Sequence, residues 1–144
     1  AIRQKWLREH PGDYTIGSRR KLLAGAFLTA GDYVNALKGR VLMTDAVNDV
    51  FRDVDVLLTG SSFEPTCKID DAVAYSRNYP RQARSPFSAT GHPALGMVCG
   101  MSKDGLPLTL QLVGRLHDEI TLLRAAAGYE RATPWHTMHP ALLA

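Results

Sequence analysis

Five groups of residues in this chain are of types that do chemistry. Ser61 and Ser62 follow Gly60, and paired serines after a glycine resemble a nucleophile segment, which needs a base to take the hydroxyl proton. His136 and His139 stand three apart with His117 upstream, and imidazoles at that spacing on a helix can share one metal ion. Pro134 and Pro140 flank that pair and work against a helix, so no metal site is expected there. His92 sits between Gly91 and Pro93, in a loop from which an imidazole can contact a substrate. Arg20 carries a guanidinium whose fork of donors can bind both oxygens of a carboxylate. Cys67 and Cys99 complete the set. So few cysteines suit free thiols in a reducing compartment, the cytoplasm by default, and Cys99, inside an apolar run with no base beside it, reads as a structural thiol.

The elements that must position these residues are readable from periodicity. Residues 95–101 and 106–113 are apolar runs separated by Ser102-Lys103-Asp104-Gly105, and Asp-Gly between apolar runs is a hairpin signal. In the second run Leu106, Leu108, Leu110 and Leu112 share one face, which is expected to be buried, and Pro107, Thr109, Gln111 and Val113 share the other. Pro107 has no N–H to give the ladder, so pairing is expected to begin just after it. Upstream, residues 55–59 read as a short buried strand. A helix is expected from Arg19 to about Gly31, half buried through Leu22, Leu23, Ala26 and Phe27. A second follows over 33–53 with Asp32 as its cap and a stripe of Val34, Leu37, Val41, Leu42, Ala46, Val47, Val50 and Phe51 for the core. The last runs from Asp118-Glu119 to Arg131 with Ile120, Leu123, Ala126 and Ala127 inward, and Pro134 ends it. Beyond it, a terminal strap packs through Trp135, Leu142 and Leu143 or frays.

Helix, strand, hairpin and final helix together give an α/β layer protein in which helices cover a sheet. Residues 60–91 are the long loop of that arrangement, interrupted at most by a short helix over 70–77. Loops of this length are often substrate-binding, and Phe63, Tyr75 and Tyr79 give this one rings with which to pack. The charge of +3 comes from 17 cations and 14 acids spread along 144 residues, without the basic stripe that nucleic acid would call for. No run approaches the ~20 apolar residues of a membrane span.

The residues also carry a family resemblance. Gly91-x-Pro93-Ala94, the small-residue run ending in Cys99-Gly100, the segment Asp104-Gly105-Leu106-Pro107-Leu108-x-Leu110-Gln111-Leu112-Val113-Gly114, and Glu119 with Leu122-Leu123 resemble the C-terminal end of amidase signature enzymes. The match runs back through Phe51, Asp55-Val56-Leu57-Leu58 and residues 20–25, so it covers nearly the whole chain. It implies a mixed-sheet α/β/α fold, with residues 1–144 the C-terminal part of one amidase domain. The chain opens on Ala1 rather than methionine, and the family's two catalytic serines and its lysine are expected in an N-terminal part that this sequence does not contain. Ser61 and Ser62 fall where the family has a threonine- and proline-rich loop, so no catalytic residue is expected here.

The activity implied is hydrolysis of an amide bond by a serine hydrolase through an acyl-enzyme, without a cofactor. In relatives that draw ammonia from glutamine, an arginine in the segment matching Arg20-Lys21 and an acid shortly before the Gly-x-Pro motif hold the charged ends of the substrate. Here the place of the acid is taken by Arg81, and the usual asparagine three before Gly91 is Ser88. Arg20 and His92 remain the substrate-binding candidates, and a small amide other than glutamine is the expected substrate. The alternatives are the glutamine-amidase subunit of a transfer-RNA amidotransferase and a non-catalytic binding module. Expected partners are the N-terminal remainder of the same polypeptide and, as a further option, a second copy in a homodimer.

Overall fold

The computed structural model describes residues 3–139. The chain divides into two compact units, one up to Gly39 and one from Arg40 on, and the division falls inside its longest helix.

The first unit holds α1 (Gln4–Glu9), a 3-10 turn at Pro11–Asp13, α2 (Ile16–Ala24), a second 3-10 turn at Gly25–Phe27 and the start of α3 (Ala30–Val50). Trp6 stacks on His10 with ring centroids 4.1 Å apart, and its Nε1 donates to Asp13 Oδ2 at 3.1 Å, folding the Pro-Gly turn back on the helix. Thr15 starts α2 earlier than the apolar spacing indicated, because its Oγ1 accepts from the Ser18 amide at 3.3 Å. The helix expected to reach Gly31 stops at Ala24 and continues only as the tighter turn. Of its expected apolar residues only Leu22 is half buried; Phe27 is 83% and Leu23 45% exposed. Thr29, not Asp32, occupies the cap of α3. Thr29 Oγ1 accepts from the Asp32 amide at 3.1 Å, and the Asp32 carboxylate accepts from the Thr29 amide and hydroxyl, both at 2.8 Å. This is a reciprocal capping box.

The second unit is built on a three-stranded antiparallel sheet in the order β1-β3-β2, from β1 (Val56–Gly60), β2 (Ala94–Met101) and β3 (Pro107–Gly114). The hairpin turns at Gly105 with φ of +72°, which glycine adopts without strain. Its closing bonds run from the Gly105 amide to Ser102 O at 3.0 Å and from the Ser102 amide to Leu106 O at 2.8 Å. Pro107 begins β3 opposite Met101, and a bulge between Val98 and Gly100 shifts the register at Cys99. β1 is half buried, because it lies at one edge of the sheet, not in its interior.

β3 is the middle strand, and that changes which residues are buried. Leu110 and Leu112 pack under Leu122 and Ala126 of α6 (Glu119–Ala132), as expected of the leucine face. Leu106 and Leu108 stay partly exposed near the turn, at 39% and 38%, beyond the reach of that helix. The opposite face is buried as well, since Val113 is wholly enclosed with Phe51 and Phe87. α6 is capped by Asp118, whose Oδ1 accepts from the Thr121 amide at 3.2 Å. It turns Leu122, Ala126 and Tyr129 inward, while Ile120 and Leu123, two of the expected inward residues, face solvent. Tyr129 Oη donates to Val98 O at 3.1 Å, fixing the helix to β2. From α3, only the C-terminal end reaches this core, through Val47 and the following Phe51; Val41, Leu42 and Val50 of the predicted stripe are exposed.

Residues 60–91 hold two helices. α4 (Ala72–Asn78) lies close to the short helix expected there and is capped by Asp71, which accepts from the Ala74 amide at 2.9 Å. α5 (Ser85–Thr90) was not expected, because Pro86 reads as a breaker. At the first turn of a helix, though, its missing N–H has no partner to lose. Gly91 ends α5 with φ of +83°, and its amide donates to Phe87 O at 2.9 Å. Arg115 ties the α3–β1 connection to the sheet. Its guanidinium donates to Phe51 O and Val54 O, each at 3.0 Å, and pairs with Asp55 at 3.0 Å. Of the predicted terminal strap, Trp135 is half buried in a 3-10 turn, and Leu142 and Leu143 lie outside the described residues.

Candidate functional site

The register of the sheet sets the site. Thr59, Gln111 and Gly96 are paired across the three strands, so the pleat puts them in one row on one face. The neighbouring row, Leu57, Val113 and Ala94, is covered by Phe51 and Phe87 at Leu57 and Val113. At the Gln111 row the covering residues stop, and Gly96 contributes no side chain; a Cβ there would meet nothing within 4 Å. A cleft of about 410 Å³ opens here, lined by Ser61, Arg84, Ser88, His92, Ala94, Gly96 and Gln111. The Gln111 side chain is buried and its Nε2 donates to Thr59 Oγ1 at 3.2 Å, so the floor of the cleft is a fixed polar group.

A second cleft of about 510 Å³ adjoins it and shares Ser61 and Arg84. Phe63, Tyr75 and Tyr79 give it aromatic walls, with the two tyrosines stacked at 5.3 Å. Its loop is held by the Arg81–Glu64 ion pair at 2.8 Å, by the Phe63 amide donating to Arg81 O at 3.4 Å, and by Ser62 Oγ donating to Glu64 O at 2.9 Å. Arg81, the residue standing where the resemblance has an acid, thus serves to hold this loop.

His92 is 4% exposed and forms part of the wall of the smaller cleft. Its ring nitrogens meet Thr90 Oγ1 at 2.8 Å and Asn48 Oδ1 at 3.1 Å. A carboxamide oxygen can only accept, so Nε2 carries the proton and Nδ1 accepts from the Thr90 hydroxyl. The ring also stacks on Phe51 at 5.5 Å. Burial lowers its pKa from the ordinary value, which keeps the imidazole neutral.

The segments 59–64 and 84–93 therefore converge on adjoining clefts, while Arg20, the other predicted substrate residue, is exposed on α2 in the first unit. Sequence reasoning missed Gln111, and it reached Thr59 and Arg84 only as the ends of the segments 59–64 and 84–93 expected nearest a ligand. The available signal was a glutamine on the opposite face of a leucine-faced strand, beside a glycine and an alanine at alternate positions of the preceding strand. Ser61 lines both clefts, but no lysine lines either of them. Among the described residues no group of three or more His, Cys, Asp or Glu is placed to hold a metal ion. Cys67 and Cys99 are both free thiols, and no helix among the described residues is long and apolar enough to cross a membrane. The arrangement can bind and orient a small polar molecule; it offers hydroxyls, a guanidinium and a fixed amide.

Comparison with known proteins gives a consistent result. The amidase family profile matches residues 11–123. An amidase of Pseudomonas putida is 38% identical over 152 residues, covering 99% of this chain and 32% of that protein. A glutamyl-tRNA(Gln) amidotransferase subunit of Chloroflexus aggregans is 38% identical over 133 residues, covering 86% of this chain and 27% of that one. A crystal structure of an amidase superposes with a TM-score of 0.77 at 28% identity, over 91% of this chain and 31% of the other. The chain thus spans about a third or less of the length of the relatives it matches.

Proposed function

The chain belongs to the amidase family, and from that premise we propose that it supplies the substrate-binding wall of an enzyme that hydrolyses the carbon–nitrogen bond of a small amide. The reaction is an acyl transfer. A serine adds to the amide carbonyl, the amine leaves with a proton, and water then releases the acid from the acyl-enzyme. The serine and its lysine base belong to the remainder of the polypeptide, a reading that the family resemblance supports. What this chain's own residues do is bind and orient.

The observation that carries this reading is the pair of adjoining clefts that share Ser61 and Arg84 and are lined by hydroxyls and a fixed carboxamide without a lysine. Ser61 has no such base beside it in either cleft and is read as a wall residue. His92 has both ring nitrogens engaged, so its proposed part is to set the wall that a substrate meets. Arg20 stays a proposed substrate contact on the strength of the resemblance alone. A second reading, that of a transfer-RNA amidotransferase component, is supported by the Chloroflexus relative at the same identity as the amidase. Arg81, committed to Glu64 in place of an acid, weighs against a substrate with an ammonium group.

The test uses the full polypeptide that contains this chain. Ammonia release from a panel of small amides, with trapping of the acyl-enzyme by hydroxylamine, is the expected result. No release from any amide, together with copurification of partner proteins, replaces this reading with the second.

A further inference from the structure

We infer that the smaller cleft is a carboxylate site with Arg84 as its receptor, and that the amide hydrolysed by the full polypeptide carries a carboxylate. This deepens the reading above and rests on it. The argument begins with charge. Among the residues lining that cleft Arg84 is the one cation, and none is an acid. The ion pairs found among the described residues use Arg52, Arg81 and Arg115, and the Arg84 guanidinium forms neither an ion pair nor a hydrogen bond there. Glu64, the acid of the adjoining cleft, is occupied by Arg81. The buried His92 stays neutral and adds no second charge.

Geometry points the same way. Arg84 immediately precedes α5, and its carbonyl accepts from the Ser88 amide at 3.3 Å, so the backbone that carries the guanidinium is held. Ser61 lines the same cleft with a hydroxyl that can donate to the oxygens of a bound acid, beside Ser88, whose hydroxyl donates to Arg84 O at 3.5 Å. Gly96 leaves the floor open, and the volume of about 410 Å³ suits a small molecule. One guanidinium fork matches one carboxylate in both charge and planarity.

The experiment compares glutaramate, an amide bearing a carboxylate, with neutral pentanamide of similar size, in the full polypeptide and its Arg84→Gln, Arg84→Lys and Arg20→Gln variants. The wild type is expected to prefer glutaramate. In Arg84→Gln the ratio of the two kcat/KM values falls about ten- to a hundredfold, mainly through KM, as expected for one charge-assisted contact. Arg84→Lys recovers part of it. A wild-type preference for pentanamide, or a ratio that Arg84→Gln leaves in place while Arg20→Gln abolishes it, overturns the assignment. If neither amide is hydrolysed, the amidase reading fails separately, and calorimetry then decides the site. Glutaramate binding that is lost in Arg84→Gln keeps Arg84 as the receptor, and absence of binding to the wild type removes it.

Discussion

Replacing His92 by alanine tests whether the wall of the smaller cleft is held by the network described. The substitution leaves the Thr90 hydroxyl, itself 4% exposed, without the imidazole that it meets at 2.8 Å. The hydroxyl keeps its 3.5 Å contact with Phe87 O, so the loss is that of one hydrogen bond, about 0.5–1.5 kcal/mol. Loss of the stack on Phe51 adds ~1 kcal/mol. Asn48 is exposed and can turn to water, so its lost bond adds little. The sum is roughly 1.5–2.5 kcal/mol, to be read by urea denaturation of the full polypeptide at pH 7.5. A double-mutant cycle with Thr90→Ala should show about 1 kcal/mol of coupling. The pH dependence has a defined sign. The folded pKa is lowered, so the unfolded chain takes up the proton first. The contribution of His92 is full above its unfolded value of about 6.5 and is lost as pH falls through the lowered folded value. The gap between wild type and variant should therefore narrow on acidification. A loss below ~1 kcal/mol at pH 7.5, or a gap that widens towards pH 5, refutes the network.

Other perturbations follow from the same structure. Gly114→Ala puts a Cβ 3.3 Å from Asp118 O, 3.4 Å from Leu122 Cβ and 3.5 Å from Pro93 Cγ, and should destabilise by about 1–3 kcal/mol in thermal unfolding. Leu122→Ala, at the centre of the α6 contact, should cost about 2–5 kcal/mol in the same assay, and a loss within the error of measurement would mean that the helix does not pack there. Arg115→Lys should not restore the stability lost in Arg115→Ala, because one ammonium cannot reach Phe51 O, Val54 O and Asp55 together. Hydrogen bonds from the Thr29 amide and hydroxyl hold the Asp32 pKa below its ordinary value. That carboxylate therefore contributes stability above its unfolded pKa, lost as pH falls through the lowered one, and Thr29→Ala should raise the pKa in an NMR titration.

The hairpin was legible because its signal is local: Asp104-Gly105 between apolar runs places both strands to within a residue. The burial of β3 was not, because it depends on partners remote in sequence. α6 covers Leu110 and Leu112, while Phe51 and Phe87 cover Val113 from the other side, and a period of two cannot report both. α5 was hidden by Pro86, whose meaning reverses between the first turn of a helix and its interior. The stripe of α3 was read correctly as apolar but given the wrong surroundings, since its exposed members meet no core among the described residues. At the site, His92 announced itself by lying between glycine and proline. Arg84 was reached only as the end of the segment 84–93, because a lone arginine after an alanine has no pattern of its own until the fold sets it beside Ser61 and Ser88.

The strand order β1-β3-β2 also bears on how the chain is made. Synthesis proceeds from the N-terminus, so the middle strand is the last of the three to leave the ribosome. β1 is complete at Gly60, but its partner begins at Pro107, which at translation rates leaves it waiting roughly 2–9 s. Over that interval Val56 and Leu57 lack their β3 partners, and β2 emerges into the same condition. A nonsense lesion just before Pro107 would therefore remove not one strand of three but both pairings among the three described strands, leaving β1 and β2 without their shared partner for chaperones or proteases to find.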